Sequence, residues 1–100
     1  MNAKHKKIDT KTLMECILSL QTTQECEAFF ADLCTMSELS AMVQRLEVAQ
    51  LLKQDMVYNT IVAKTGASSA TISRVARCLN YGAGGYDLAL GRIAAQEDGE

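Results

Sequence analysis

Apolar residues along this chain recur three and four positions apart, the spacing of one face of an α-helix. Between Thr10 and Gln21 the stripe is Leu13, Cys16, Ile17 and Leu20, and Met14 with Leu18 widen it beyond what one neighbour could cover. Thr22-Thr23-Gln24-Glu25 has the spacing of a capping box, in which a hydroxyl and a carboxylate satisfy the first free N–H groups of a helix. It predicts a second helix whose buried face is Cys26, Phe29, Phe30, Leu33 and Cys34. A second box, Thr35-Met36-Ser37-Glu38, opens a third and longest helix running to about Lys53. The first half of that helix carries Leu39, Met42, Val43 and Leu46 on one side. Its second half puts Val48, Leu51 and Leu52 on roughly the opposite side at about 100° per residue. One partner cannot cover both, so the pattern predicts a helix shared between its own domain and a twin subunit.

From Tyr58 to Leu79 the pattern is that of two short helices crossing over a tight turn. Gly66 stands where the first helix must stop in a positive-φ conformation, and Ser68 can cap the second. Ile61 and Val62 before the turn, Ala67 just after it, and Ile72 and Val75 in the second helix supply the apolar corner. The remaining face of that second helix carries Ser69, Ala70, Ser73, Arg74 and Arg77, with no carboxylate. Such a face suits a DNA groove: guanidinium forks pair with guanine edges or phosphates, and the hydroxyls of Ser68, Ser69, Thr71 and Ser73 can reach bases or backbone. Tyr58 and Asn59, at the start of the first motif helix, are the expected phosphate anchors, and Lys64 at its end is a further expected DNA-binding residue. The bland counterpart is a helical hairpin with a solvated outer face.

Beyond the motif, Asn80-Tyr81-Gly82-Ala83-Gly84-Gly85 lacks the preceding strand and following Lys-Ser/Thr of a phosphate-cradling loop, so it is expected to stop a helix and act as a hinge. A last helix starts near Tyr86, with Tyr86, Ala89, Leu90 and Ile93 packing inward. The expected organisation is a flexible basic arm over residues 1–9, a single helical domain over residues 10–95 with the helix-turn-helix at 58–79, and a fraying tail over residues 96–100. Lys4, His5, Lys6 and Lys7 could lie along phosphates or remain solvated.

Composition narrows the reading. One hundred residues, 48% apolar with no Pro and no Trp, suit one helical domain with an aliphatic and thioether core. A domain of that size gains from an extra subunit interface. The net charge of −2 argues against a strongly basic nucleic-acid binder, but the charges are unevenly placed. From Met56 to Tyr86 there are three basic residues, Lys64, Arg74 and Arg77, and no acid. The local patch governs binding because phosphate attraction decays over a Debye length of about 8 Å.

Cys16, Cys26, Cys34 and Cys78 form no C-x-x-C pair and lie at or beside apolar positions, as expected of reduced core thiols in a cytoplasmic protein. With His5 as the only histidine, no metal site is expected. Neither an oriented Ser or Cys nucleophile nor a converging carboxylate pair is present, so no catalysis and no cofactor are expected. No apolar run approaches the length of a membrane span.

Gly66-Ala67, Ala70-Thr71-Ile72, Arg74 and Leu79 resemble the helix-turn-helix of the bacterial Trp repressor family. The run from Tyr58 to Tyr86, with Cys78-Leu79-Asn80-Tyr81-Gly82, is similar to the short Trp-repressor-like proteins within it. The resemblance spans about Met36 to Ile93 and implies an all-α fold of about six helices forming an intertwined homodimer with two reading heads. It also implies a corepressor site between an arginine of the recognition helix, matched by Arg74, and one of the long core helix, falling at Arg45 or Gln44. The family glycine that follows the first arginine is here Val75, whose branched side chain would intrude on an indole, and Cys78 replaces a polar hydroxyl. A small-molecule corepressor is therefore left open, with tryptophan disfavoured. The expected function is a sequence-specific, DNA-binding transcriptional regulator of the repressor type; the alternative is a dimeric helical adaptor that binds a protein partner and not DNA.

Overall fold

The structure is a computed structural model describing residues 7–98, and all regular structure among the described residues is helical. In chain order the helices are α1 (Lys11–Ser19), α2 (Thr23–Leu33), α3 (Met36–Lys53), α4 (Tyr58–Thr65), α5 (Ser69–Tyr81) and α6 (Gly85–Asp98). This is the all-α arrangement the hydrophobic spacing predicts. The basic-arm residues Lys4, His5 and Lys6 lie outside the described residues. The chain divides into two compact units, Met1–Met36 and Ser37–Glu100.

In the first unit, α1 starts where the Asp9 carboxylate accepts the Lys11 N–H at 3.0 Å, while Thr10 at the N-cap makes no side-chain bond. Its end is closed by the Ser19 hydroxyl, which donates to the Cys16 carbonyl at 2.6 Å. At the Thr22 box the hydroxyl half forms at the N-cap, while the carboxylate half is shifted to the residue before it. Thr22 Oγ1 accepts the Glu25 N–H at 3.0 Å, and Glu25 Oε1 reaches back to accept the Gln21 N–H at 2.7 Å. Phe29 and Phe30 stack edge to face with ring centroids 5.3 Å apart. Nothing described in this unit is fully buried: Ile17, Leu20, Phe29, Phe30 and Cys34 are half-buried, and Leu18 is 84% exposed. The expected inner face of α2 is corrected accordingly, since Cys26 and Leu33 are exposed. Two short helices have too little surface to enclose their own stripes. The four cysteines are free thiols, as expected, but none is in the core: Cys16 and Cys26 are exposed, and Cys34 and, on α5 of the second unit, Cys78 are half-buried.

The second unit holds the core: Val48, Ala49, Ile61, Ala67, Ile72, Val75 and Leu90, with Leu51, Leu52, Val62, Leu79 and Tyr86 packed against it. The second half of α3 supplies Val48, Ala49, Leu51 and Leu52, while Val43 and Leu46 on its other side remain 52% and 43% exposed. The two-sided pattern of α3 is thus visible as one covered face and one partly open one, where Leu39 and Met42 are half-buried. Asp55, at φ +61°, ends α3: the Asp55 N–H bonds to Leu52 O at 3.0 Å and the Met56 N–H to Leu51 O at 3.1 Å. This is a Schellman ending with an aspartate in place of the usual glycine, a residue whose short polar side chain tolerates the left-handed region.

At the far end of α5 the backbone is extended at Gly82, where a Cβ would run into the Cys78 carbonyl oxygen. Gly82 is therefore required by close approach, and Gly84 by its φ of +84°. α6 begins at Gly85, one residue before the expected start, and continues past Gln96 to Asp98, into the stretch expected to fray. Lys53 Nζ pairs with Asp87 Oδ1 at 2.5 Å, tying the end of α3 to the first turn of α6. Leu90 is buried and Tyr86 half-buried, but Ala89 is exposed and Ile93 50% exposed, because no element of the unit covers that side.

Candidate nucleic-acid interface

The corner between α4 and α5 is built by four consecutive residues, Thr65 to Ser68. Gly66 takes φ +70° and ψ 11°, and its N–H closes on Val62 O at 2.8 Å. That left-handed conformation costs most L side chains about 1–2 kcal/mol and glycine nothing, which accounts for the glycine. Thr65 secures both sides of the turn: its hydroxyl donates to Ile61 O at 2.7 Å and accepts the Ala67 N–H at 3.1 Å. The sequence reading placed the turn on Gly66 and Ser68 and missed Thr65, whose signal was a hydroxyl directly before the stop glycine. It also missed that Gln44 on α3 donates from Nε2 to the Thr65 carbonyl at 3.1 Å.

Ser68 caps α5 from extended backbone, its Oγ accepting the Thr71 N–H at 3.1 Å and its O–H donating to Thr71 Oγ1 at 3.1 Å. Of the residues expected to contact DNA, Ser68 and Thr71 are thus also partners in the cap. Ser68→Ala is expected to lower the unfolding free energy by about 1 kcal/mol, read as a drop in the thermal midpoint; an unchanged midpoint would remove the cap from the account.

The corner fixes the rotation of α5 about its axis. Ile72 and Val75 are 6% and 1% exposed and turn inward, with Ala67 and Ile61 beneath them. Ser69, Ala70, Ser73, Arg74 and Arg77 all face solvent on the opposite side. Tyr58 is half-exposed and Asn59 exposed at the start of α4, and Lys64 is exposed at its end. Among the described residues Lys64, Arg74 and Arg77 make no ion pair, so their charges are available to a ligand. The acids that flank this stretch are Asp55 and Asp87, and Asp87 is partly neutralised by Lys53.

The effector candidates are placed differently. Arg45 is half-buried on α3 and Arg74 exposed on α5, while Gln44 is engaged with Thr65. A shallow cleft of about 190 Å³ lined by Glu47, Gln50, Leu51, Lys64 and Thr65 includes neither arginine. Among the described residues no group of three His, Cys, Asp or Glu could hold a metal ion. None of the described helices is long and apolar enough to cross a membrane.

Known proteins with this arrangement agree with one another. The sequence profile of the Trp repressor protein family matches residues 9–94. The uncharacterized protein YerC of Bacillus subtilis (strain 168) is 52% identical over 85 residues, covering 85% of this chain and 82% of YerC. A crystal structure of a candidate Trp repressor from Staphylococcus aureus superposes with a TM-score of 0.84 at 43% identity, covering 91% of each chain. A TrpR-like protein from Eubacterium eligens gives the same TM-score at 46% identity, covering 93% of this chain and 96% of its own. With a profile match over most of its length and a relative above half identity, the chain belongs to the Trp repressor family, a family of DNA-binding regulators.

Proposed function

We propose that this chain is a sequence-specific transcriptional regulator that binds double-stranded DNA as a homodimer, with α5 entering the major groove. The observation that carries the reading is the outward face of α5, which holds no carboxylate and where Arg74 and Arg77 make no ion pair among the described residues, while Ile72 and Val75 anchor the helix behind them. Ser69, Ala70 and Ser73 lie on the same face, nearer the N-terminal end that reads base edges in helix-turn-helix complexes. Ser68 and Thr71 at the helix start, and Tyr58, Asn59 and Lys64 on α4, are the proposed backbone contacts.

Dimerisation is supported by what one chain leaves open. Leu13, Met14, Leu18 and Leu33 in the first unit, and Val43, Leu46 and Ile93 in the second, are large apolar side chains at least one-third exposed. A second copy is the economical cover, and two heads set about 34 Å apart would read a near-palindromic site. Val75 is fully packed into the core, and this supports the expectation that tryptophan is not the effector.

Titrating salt against the affinity for duplex DNA tests this reading. Counterion release demands that log affinity fall linearly with log salt, with a slope of roughly −0.9 per neutralised phosphate. Selection from a random oligonucleotide pool should then return a site with two-fold symmetry. A flat salt response with no enriched site would instead favour the protein-binding adaptor.

A further inference from the structure

We infer that Gln44 is a positioning residue that locks the reading head to the long helix by itself, so that α5 is presented to DNA in the effector-free chain. The inference rests on the DNA-binding reading above and names how that site is regulated. Gln44 lies one turn before Val48 on α3, on the stripe that continues through Leu51 and Leu52 into the core. Its amide donates to the Thr65 carbonyl, one of the last four carbonyls of α4, which has no partner within its own helix.

The same residue, Thr65, holds Ile61 and Ala67 through its hydroxyl. The chain of bonds therefore runs from α3, through the last turn of α4, to the residue before the α5 cap. Below it, Ile61 at 0% and Val75 at 1% exposure close the apolar contact under the corner, and the cleft between α3 and the end of α4, lined by Glu47, Gln50, Leu51, Lys64 and Thr65, includes neither side chain. A head already fixed by a half-buried hydrogen bond and a closed apolar contact gains no orientation from a ligand, because a ligand shifts a conformational equilibrium only by its differential affinity for the two states.

Gln44→Met is the informative change: similar length, neutral, no donor, with the Thr65 carbonyl left unpaired. In the full chain, affinity for the selected site is expected to fall about tenfold, while affinity for random duplex DNA stays within about twofold, since the phosphate-directed charges are untouched. Amide hydrogen exchange of Ala67 to Thr71 should quicken in the variant while that of Leu88 to Arg92 does not. Wild-type protein after exhaustive dialysis should bind the selected site equally with and without added L-tryptophan or a mixture of the twenty amino acids. Unchanged exchange at the corner in Gln44→Met overturns the positioning role whatever the protein binds. Wild-type binding that appears only with an added amino acid overturns the effector independence and leaves the DNA-binding reading standing. Wild-type protein that binds no duplex under any of these conditions removes that reading itself, and the effector claim with it.

Discussion

Replacing Arg74 and Arg77 together by alanine is expected to abolish sequence-specific DNA binding while leaving the protein folded. Each arginine that reads a base contributes about 1–3 kcal/mol per contact, and a dimer would lose the contact in both half-sites. Both side chains are exposed and, among the described residues, unpaired, so their truncation opens no cavity and strands no buried partner. The two stand three residues apart on α5, close enough to share a phosphate or a base step, so their losses need not add. The single variants separate the roles. An arginine that reads a guanine should relax specificity at one position of the site, whereas one that holds a phosphate should weaken binding to all sequences alike and reduce the salt slope by about one. Quantitative binding to the selected site and to random duplex, over a salt series, measures both. A double variant that still binds the selected site with wild-type affinity would take the recognition surface away from this face of α5.

Much of this architecture can be read from the residues because the signals are local. A glycine before a small residue and a serine, flanked by two apolar pairs, specifies the corner at Gly66 with few alternatives, and the outward side of α5 follows from a period of 3.6. The Thr22 hydroxyl cap was legible because its bond spans three residues, whereas the Glu25 carboxylate bonds the N–H of Gln21, one residue before the N-cap. The Schellman ending at Asp55 escaped because glycine is the usual mark of a left-handed stop, and an aspartate there looks like any exposed acid. Gln44 escaped for a different reason: its partner is twenty-one residues away, and nothing in a helical stripe distinguishes a glutamine that bonds across a corner from one that faces water. The inward faces assigned to α2 and α6 were read from periodicity alone. Periodicity says which residues share a side but not whether the same chain supplies its cover, and Leu33, Ala89 and Ile93 are exposed where that cover is missing.

Ile61→Ala should be the most destabilising single truncation in the second unit. Ile61 is 0% exposed and belongs to the cluster that Val48 of α3, Ala67 of the turn, and Ile72 and Val75 of α5 also form. Removing its outer carbons loses their transfer free energy and leaves a cavity that three helices cannot all close, a combined cost of about 2–5 kcal/mol. Against a total stability of roughly 5–15 kcal/mol for a domain of this kind, that is enough to populate unfolded chains near physiological temperature. If the protein is a dimer, mass action predicts that raising the protein concentration raises the thermal midpoint of the variant, because association draws on the folded chain alone. Denaturant unfolding of wild type and variant at two protein concentrations measures the cost and the coupling together. The head should suffer first, since Ile61 is the only fully buried side chain that α4 contributes to the core. A loss below about 1 kcal/mol would mean that the corner does not rest on this cluster, and the outward aim of Arg74 and Arg77 would then need another cause.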